Sequence, residues 1–440
     1  MIRPSSFARR RQASSVAVVS LSLVCLNVFS ASIARAENWP GWRGPRGDGT
    51  SEETGIPTHW DGAKGENVVW KVEIPGKGHA SPVVWGDCVF LVTCLEEEHD
   101  RVLMCLDRDS GETRWQTSVL KSPLEKKHTL NSYASSTPAT DGKLVYVTFL
   151  EGAVPGEAAG ARMAVAAYDF EGRRQWLVRP GPFSSVHGYC SCPVLFEDKL
   201  IVNGDHDGDA YLLALDRESG KTVWVVPREN KTRSYSTPII RNIDGRWQMI
   251  LSGSMSVASY DPRNGSRHWI IDGPTEQFVA SMVYNGELLF MTAGFPEHHM
   301  LAIRPDGYGN VTDTHVAWRT KEACSYVPSP IAVGEHFLVV SDDGIASCFE
   351  AVTGHRTWRQ RIGPHFSASL VSAGGLAYFL SDEGVATLVK PGPTFDEVAV
   401  NDLGEACFAS PAISEGRIYL RAEKHLYAVE TKDSVVRSQE

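Results

Sequence analysis

The chain has 440 residues, of which 42% are hydrophobic and 22% are charged, and its formal net charge is −10. This is the composition of a folded protein rather than of a disordered chain. The acidic balance, without a cluster of basic residues, argues against a nucleic-acid-binding protein or one that lies on an anionic membrane surface. The length alone would allow two domains, so the domain organisation has to come from the sequence pattern.

Residues 1–36 have the pattern of a secretory signal peptide. An arginine-rich start that includes Arg9–Arg11 precedes an apolar stretch over residues 16–29, and Ala34–Ala36 has the small residues of a cleavage site. A membrane anchor is the less favoured interpretation, because the apolar stretch is short for a bilayer span and contains serines. We predict an exported protein, periplasmic or extracellular, whose mature chain begins at Glu37 and has no transmembrane segment.

The rest of the chain divides into a short arm and a long repeat domain. Residues 37–66 precede the first repeat and are predicted to form the N-terminal arm. The repeat domain covers residues 67–440 and starts with the apolar strand Asn67–Val72. No helical apolar periodicity of useful length follows residue 36, which predicts an all-β mature chain.

One motif recurs along the repeat domain, most plainly in Ala214–Trp224. An apolar strand ends in a small residue, an apolar residue and Asp; a Ser/Thr-Gly turn follows, and a Trp closes the unit. We expect the Asp to cap backbone donors in a tight turn, and the Trp to fill the gap between neighbouring units with its ring N–H paired. The closing tryptophans are 40 to 61 residues apart, which is the period of a four-stranded propeller blade. They are Trp70, Trp115, Trp176, Trp224, Trp269, Trp318 and Trp358.

Each unit also opens with a small residue, in most copies a hydroxyl residue followed by Pro, that leads into an apolar strand. The last unit ends at Leu426–Val429 without an outer strand, and Asn67–Val72 is available to supply it. The sequence therefore predicts an all-β, eight-bladed propeller of four-stranded antiparallel blades, closed by the N-terminal strand so that no free sheet edge remains there. The eight openings are Ser81-Pro82, Thr137-Pro138, Cys192-Pro193, Thr237-Pro238, Ser281-Met282, Ser329-Pro330, Ser369-Leu370 and Ser410-Pro411.

Blade seven is predicted to be degenerate. Its segments Ala386–Leu388 and Val398–Val400 keep the strands but lack the Asp-Thr-Gly turn and the Trp. Asp342–Gly344 and Asp382–Gly384 are predicted hairpin turns between the middle strands of blades six and seven.

The repeated motif resembles the tryptophan-docking signature of the quinoprotein-like propellers, the eight-bladed family built from pyrroloquinoline quinone (PQQ) repeats. The resemblance covers Val68 to Val429, and Trp39–Gly49 is similar to the leader segment of secreted bacterial members. Within the family, the chain resembles the propeller of the outer-membrane-protein assembly factor. Cys25 lacks the small residues that precede a lipidated cysteine, which puts the lipid anchor of that role in doubt.

The resemblance also implies what a quinone site would need. Dehydrogenases of this fold hold PQQ with a disulfide between adjacent cysteines, a Trp floor, an Arg and a calcium ion bound by acidic and amide side chains. This chain has no Cys-Cys pair, and its nearest arrangement is Cys190-Ser191-Cys192. Motifs for a nucleophilic serine, a zinc protease, a phosphate-binding loop or a kinase are not found either. We therefore expect no catalytic residues and no cofactor, neither PQQ nor Ca²⁺.

The cysteines after residue 36 are first of all packing residues. Cys105 and Cys348 occupy the same repeat position, where other units have Ala or Ser, and are predicted to be small buried side chains. One disulfide elsewhere stays open, because an exported protein meets an oxidising compartment. A metal site at Cys190 and Cys192 is the least favoured alternative.

An acidic segment in the third unit has two interpretations. Asp205, Asp207 and Asp209 alternate along the chain, as at the start of a calcium loop, but the downstream bidentate Glu is missing. Aligned with the sixth unit, Asp207-Gly208 falls on the hairpin turn Asp343-Gly344. We favour a solvated hairpin turn, with a weak divalent-cation site as the alternative.

Polar aromatic and basic side chains precede the inner strands of units two to four. The entries of the inner strands line one mouth of the central channel of a propeller, and a blade does not need such residues there. They are therefore the candidate binding surface; the alternative is that they cap loops and bind ordered water. The candidates are His128, Asn131, Tyr133, His187, Tyr189, Arg233 and Tyr235.

Two functional classes stay open. The first is an exported, non-enzymatic propeller that serves as a protein- or ligand-binding scaffold and takes an envelope protein or a glycan at the channel mouth. The second is a PQQ-dependent oxidoreductase or a degenerate relic of one. The missing pair of adjacent cysteines favours the first class, and no nucleophile, base and orienting group can be assembled into a catalytic site.

Overall fold

The computed structural model of the protein describes residue 1 and residues 36–154, 156 and 160–431. These residues contain no helix, and hence none that is long and apolar enough to cross a membrane. Their strands form eight antiparallel sheets arranged as the blades of a propeller. The predicted signal peptide falls almost wholly outside the described residues and stays a prediction.

The first strand, β1 (Val68–Glu73), belongs to the last blade. The first four blades follow in chain order, each running from an inner strand at the channel to an outer strand at the rim. They comprise β2 (Val83–Trp85), β3 (Cys88–Leu95), β4 (Asp100–Asp107) and β5 (Thr113–Lys121); β6 (Ala139–Thr140), β7 (Leu144–Glu151), β8 (Arg162–Asp169) and β9 (Arg174–Val178); β10 (Val194–Phe196), β11 (Lys199–Gly204), β12 (Tyr211–Asp216) and β13 (Thr222–Pro227); and β14 (Ile239–Ile243), β15 (Arg246–Gly253), β16 (Ser256–Tyr260) and β17 (Arg267–Asp272).

Blade five differs by an insertion before its outer strand. A short strand from this insertion, β21, pairs in parallel with β17 and adds a fifth strand to blade four. Blades five to eight comprise β18 (Val283–Tyr284), β19 (Leu289–Ala293), β20 (His299–Ile303), the inserted β21 (Gly309–Asn310) and β22 (Val316–Thr320); β23 (Ile331–Val333), β24 (His336–Val340), β25 (Ile345–Glu350) and β26 (Arg356–Arg361); β27 (Val371–Ala373), β28 (Leu376–Leu380), β29 (Val385–Val389) and β30 (Glu397–Asp402); and β31 (Ala412–Ser414), β32 (Arg417–Arg421) and β33 (His425–Val429).

The ring closes as the sequence predicts. β1 pairs antiparallel with β33, with Trp70 opposite Ala428, so the N-terminal strand is the outer strand of blade eight. The predicted hairpin turns Asp342–Gly344 and Asp382–Gly384 connect β24 to β25 and β28 to β29. Blade seven keeps four strands without a closing Trp.

The closing tryptophans dock each blade onto the next. Trp176 packs on the turn of blade three at Gly220, where φ is +71° and a Cβ atom would lie 2.8 Å from the indole ring, so only glycine fits. The exception is Trp269, which bonds Gln248 of its own blade where the insertion replaces the usual turn. The other indole N–H groups donate to a backbone oxygen of the following blade: Trp70 to Arg108, Trp115 to Phe170, Trp176 to Arg217, Trp224 to Pro262, Trp318 to Ala351 and Trp358 to Gly392.

The hydrophobic core lies between blades rather than within them. Phe90 and Cys105 of blade one, for example, share one buried cluster with Val147 and Tyr168 of blade two. Cys105 and Cys348 are fully buried, as predicted. The eight cysteines among the described residues are free thiols.

The small residue that opens each blade has a structural role that the sequence did not reveal. Its side chain accepts the backbone N–H of the same position in the preceding blade, so a belt of hydrogen bonds runs around the channel. Seven blade junctions have this bond: Ser81 to Thr137, Thr137 to Cys192, Cys192 to Thr237, Thr237 to Ser281, Ser281 to Ser329, Ser329 to Ser369 and Ser369 to Ser410, with donor–acceptor distances of 2.8–3.2 Å.

Candidate functional site

The central channel forms a cup with a volume of about 500 Å³. Its wall obeys a simple rule: the residue two positions before each blade opening faces the cup in all eight blades. The alternation of side chains along an extended segment explains this spacing, because the opening residue and the residue two before it point the same way. The wall residues are His79, Ser135, Cys190, Tyr235, Val279, Val327, Ser367 and Phe408.

The N-terminal arm closes the floor of the cup. Trp42 lines the cavity, and its ring N–H donates to Ser281 Oγ at 3.2 Å. The fully buried Arg43 beside it donates to the carbonyl oxygens of Ser329, Pro330 and Asp48 at 2.5–3.1 Å. These bonds fix the arm to blades five and six, so the channel is a cup rather than a tunnel.

The same arm crosses the ring to other blades. Trp39 forms a backbone bridge with Val84 of blade one. Glu53 accepts backbone N–H bonds from Glu415 and Gly416 of blade eight at 2.6–2.7 Å. The arm predicted from the sequence is therefore an integral cover of one end of the propeller.

Five of the seven predicted surface residues line the cup. His128 and His187 contact edge to face with 5.6 Å between ring centroids, and His187 lies 6.1 Å from the ring of Tyr235. The Asn131 amide donates to the His187 carbonyl at 2.7 Å, which ties the loops of blades two and three together. Arg233 completes the set, so these five residues line one cavity, and their role as a binding surface stays a prediction.

The other two predicted residues do not reach the cup. Tyr189 is only 5% exposed and packs on Phe183 with ring centroids 5.1 Å apart. Its ring belongs to the buried cluster between blades two and three, although Tyr326, at the same spacing from its own blade opening, lines the cup. Tyr133 is half-buried against the core of blades one and two, with the Lys127 ammonium 5.0 Å from its ring. Both tyrosines support loops rather than the predicted surface.

Half of the cup comes from blades that the sequence analysis did not select. His79, Phe295, Tyr326, His365 and Phe408 line it from blades one and five to eight. Four of them lie two to four residues before a blade opening, as Tyr235 and Arg233 do, so the spacing from the opening was the signal that could have found them. Phe295 comes instead from the hairpin between β19 and β20, for which the repeat gives no signal.

Two ionisable groups of the cup already form ion pairs or hydrogen bonds with neighbouring residues, and a third is neutral. Arg233 donates to both carboxylate oxygens of Asp207 at 2.8–2.9 Å. Asp342 accepts the backbone N–H groups of Tyr326 and Val327, while burial raises the pKa of its carboxyl group. Burial, with the charges of Arg421 and Lys127, lowers the pKa of His79 to about 4, so this imidazole is neutral at physiological pH.

The rim of the cup is apolar. Leu130 and Phe295 are each about half exposed and line the cavity. Isolated exposed apolar residues are ordinary, but these two belong to a concave site lined with aromatic rings. The arrangement fits the uptake of an apolar or aromatic group.

The three aspartates of the acidic segment do not converge. They lie in the predicted hairpin turn between β11 and β12, but Asp205 is fully buried and paired with Arg228 at 2.8 Å, so the expectation of a solvated turn is wrong for this residue. Asp207 pairs with Arg233 and Asp209 with Lys231. Among the described residues no group of three His, Cys, Asp or Glu side chains could hold a metal ion.

Comparison of the sequence with protein families gives a match over most of the chain. The model described as "Outer membrane protein assembly factor BamB" matches residues 53–176, 99–360 and 312–437. The chain belongs to this family. No protein with a curated function matches the sequence.

Solved structures similar to this BamB-family chain include another BamB and two dehydrogenases. BamB from Moraxella catarrhalis has a TM-score of 0.58 and 13% identity, over 83% of this chain and 97% of that chain. A europium-containing methanol dehydrogenase has a TM-score of 0.59 and 12% identity, over 89% and 98%. Quinohemoprotein alcohol dehydrogenase ADHIIG from Pseudomonas putida HK5 has a TM-score of 0.52 and 12% identity, over 90% and 80%. At these identities the likeness shows the fold alone.

The cup residues do not fit the PQQ and calcium site of the dehydrogenases. Trp42 supplies an aromatic floor and Arg233 a cation, but both oxygens of the lining carboxylate Asp342 already accept backbone N–H bonds. Cys190 and Cys192 are separated by one residue, and burial raises the pKa of their thiols to about 12 and about 11, which keeps them protonated. The expectation that the protein binds no cofactor stays a prediction.

Proposed function

We propose that the protein is exported to the periplasm or cell surface and binds, without turnover, an apolar segment of an envelope protein in its cup. One observation carries the proposal. All eight blades contribute a side chain to a single concave site that the N-terminal arm closes at the floor. A closed floor and a partly exposed aromatic wall favour insertion of a side chain or short segment over passage through a channel.

The choice of a polypeptide rests on the rim. Leu130 and Phe295 present apolar surface at the entrance, and aromatic residues and Arg dominate contact energies in protein interfaces. A glycan would need convergent polar groups, whereas Arg233 and Asp342 are already engaged with neighbours. Membership of a family described as an assembly factor agrees with a role in binding other proteins.

The test compares two double variants. Leu130→Gln with Phe295→Gln alters the cup rim, and Val352→Gln with Val398→Gln alters two similarly exposed residues that do not line the cup. We expect an envelope protein that is crosslinked to the wild type and to the control pair to be lost with the rim pair, while all three proteins keep the same circular dichroism spectrum.

Undiminished capture by the folded rim pair would contradict the proposal. Capture that survives protease digestion of the extract would identify a glycan instead. Dye-linked oxidation of an alcohol or a sugar by the purified protein with added PQQ and Ca²⁺ would overturn the non-enzymatic assignment and restore the quinoprotein alternative.

A further inference from the structure

The N-terminal arm contacts blades one, two and seven through one repeated backbone position, the third residue after the blade opening. The N–H of this residue donates to a carbonyl oxygen of the arm. On blades one and two the acceptors are successive arm residues, so the arm crosses the ends of neighbouring inner strands as an extended segment. The bonds run from Val84 to Trp39, from Thr140 to Pro40 and, on blade seven, from Ser372 to Gly49, at 2.8–2.9 Å.

The arm does not reach the same position on blades three and four, where the residues are Leu195 and Ile240. Each lies in an inner strand that is followed by a two-residue hairpin turn, and the alternation of the antiparallel ladder directs its N–H away from its own sheet. Neither N–H has a hydrogen-bond partner within the described residues. Two backbone donors of the kind that the arm uses elsewhere are therefore free.

A second cavity, with a volume of about 390 Å³, adjoins these two donors. It lies between residues 40–47 of the arm and the inner strands of blades two to four, and Leu195 and Ile240 belong to its wall. Trp42 lines both this cavity and the cup, so the arm forms the partition between them. The free donors therefore border open space beside the point where the arm leaves blade two.

The chemistry of this cavity favours an uncharged hydrogen-bond acceptor. Its lining arginines are already paired, Arg46 with Glu37 at 2.8 Å and Arg241 with Asp48 at 2.9 Å. Arg241 also donates to the Ile240 carbonyl at 2.9 Å, so blade four offers a free donor while its acceptor is used. A proline residue has a carbonyl acceptor and no N–H that would need a partner, and it is a proline of the arm that accepts the bond from blade two. Apolar rings complete the wall: Pro45, Pro193 and Pro238.

We propose that the second cavity binds an extended, proline-containing segment of a partner polypeptide, whose carbonyl oxygens accept the N–H groups of Leu195 and Ile240. The bound segment continues across blades three and four the series of bonds that Trp39 and Pro40 form on blades one and two. This site is independent of the proposed function of the cup, because the residues changed in the rim variants do not line it.

The experiment follows the methyl NMR signals of Leu195 and Ile240 in the whole protein during titration with acetyl-Asn-Trp-Pro-Gly-amide, the sequence of arm residues 38–41. We expect both signals to shift saturably. Leu195→Pro removes one donor and should weaken binding, read from Ile240, by about tenfold, the scale of one hydrogen bond. Leu195→Ala keeps the N–H and should retain binding. Ala332→Pro, at the same position of blade six and outside the cavity wall, controls for the effect of proline on an inner strand.

Each outcome decides the proposal. Saturable shifts that Leu195→Pro weakens and the other two variants retain support the site. Absence of shifts with the wild type, or binding that Leu195→Pro leaves unchanged, overturns it. If Leu195→Pro does not fold, the wild type is titrated with the same peptide carrying thioamides, which are weaker acceptors, at Trp and Pro: weaker binding supports the site and equal binding refutes it. A dimer in sedimentation that Ile240→Pro abolishes would make the occupant a second copy of the chain and contradict the assignment to a partner.

Discussion

The two ends of the central channel are built from the same repeats but use their polar groups differently. At the floor, Arg43 of the arm donates to backbone carbonyl oxygens of blade six, and Glu53 of the arm accepts backbone N–H bonds from blade eight. At the mouth, His128, Leu130 and Phe295 remain partly or largely exposed around a cavity. The repeat itself therefore does not distinguish the two ends of the channel; the arm does so by covering one of them.

The largest expected effect comes from removing the closed end altogether. Deleting residues 37–72 takes away the arm and β1, which leaves the edge of β33 unpaired and the buried side of blade eight exposed. We expect loss of soluble protein rather than a shifted unfolding transition, because an unprotected edge promotes aggregation. A soluble monomer with the wild-type circular dichroism spectrum would show that neither segment is needed for closure.

The second largest effect is expected from removing a tryptophan that docks one blade onto the next. Trp224→Ala removes a buried indole that donates to Pro262 of blade four at 3.2 Å, and the expected loss in the free energy of unfolding is about 3–5 kcal/mol. The exposed neighbour Val223 provides the control, since Val223→Ala should change stability by less than about 0.5 kcal/mol. Equal transitions for the two variants in urea would contradict the docking role.

Arg43→Met tests the floor itself. The change leaves the carbonyl oxygens of Pro330 and Asp48 without their arginine donor, while Ser329 keeps the bond from the Leu370 N–H, and an unsatisfied buried group costs about 1–3 kcal/mol. We expect a total loss of about 3 kcal/mol by chemical unfolding. Arg173→Met, which removes an exposed arginine paired with Asp169, should stay within about 0.5 kcal/mol. A floor variant as stable as this control would mean that the arm is a loose cover.

The sequence predicts the blades of the propeller better than the contacts of the N-terminal arm at the floor of the cup. Repeated Asp turns, glycines and tryptophans act locally or between neighbouring blades, so their period reveals the blades and the closing strand. Arg43 donates to the carbonyl oxygen of Ser329, which lies 286 residues away in the sequence, and no motif in Trp39–Gly49 predicts that contact. The opening residues recur in the sequence and mark the blades. Their hydrogen bonds join residues of neighbouring blades, so they follow from the three-dimensional structure and not from the repeat.

The mouth was predictable only in part, for the same reason. Five of the seven selected residues line it, because loops before the inner strands converge there. Tyr189 was selected for its chemistry, but its ring packs on Phe183 in the core. Its spacing from Cys192 could not have excluded it, because Tyr326 has the same spacing from Ser329 and lines the cup.

The floor should also be sensitive to acid. Hydrogen bonds from Arg46 lower the pKa of Glu37 to about 2, below its usual value near 4.5. Because the folded pKa is depressed, this carboxylate stabilises the fold above about pH 4.5, and the contribution is lost as the pH falls towards 2. The Tm of the wild type should therefore fall more steeply over this range than that of Glu37→Gln. Parallel Tm curves for the two proteins would exclude the linkage.

The smallest effect is expected at the mouth. Leu130 is about half exposed, its side chain lies outside the buried clusters between blades, and Leu130→Gln should change the free energy of unfolding by no more than about 0.5 kcal/mol. If the mouth serves in binding, partner capture should nevertheless weaken measurably, because the change removes apolar contacts that form only when the partner is bound. A clear loss of stability in urea would place Leu130 among the structural residues instead. Both ends of the channel would then be scaffold, and the binding surface would have to be sought on the outer edges of the blades.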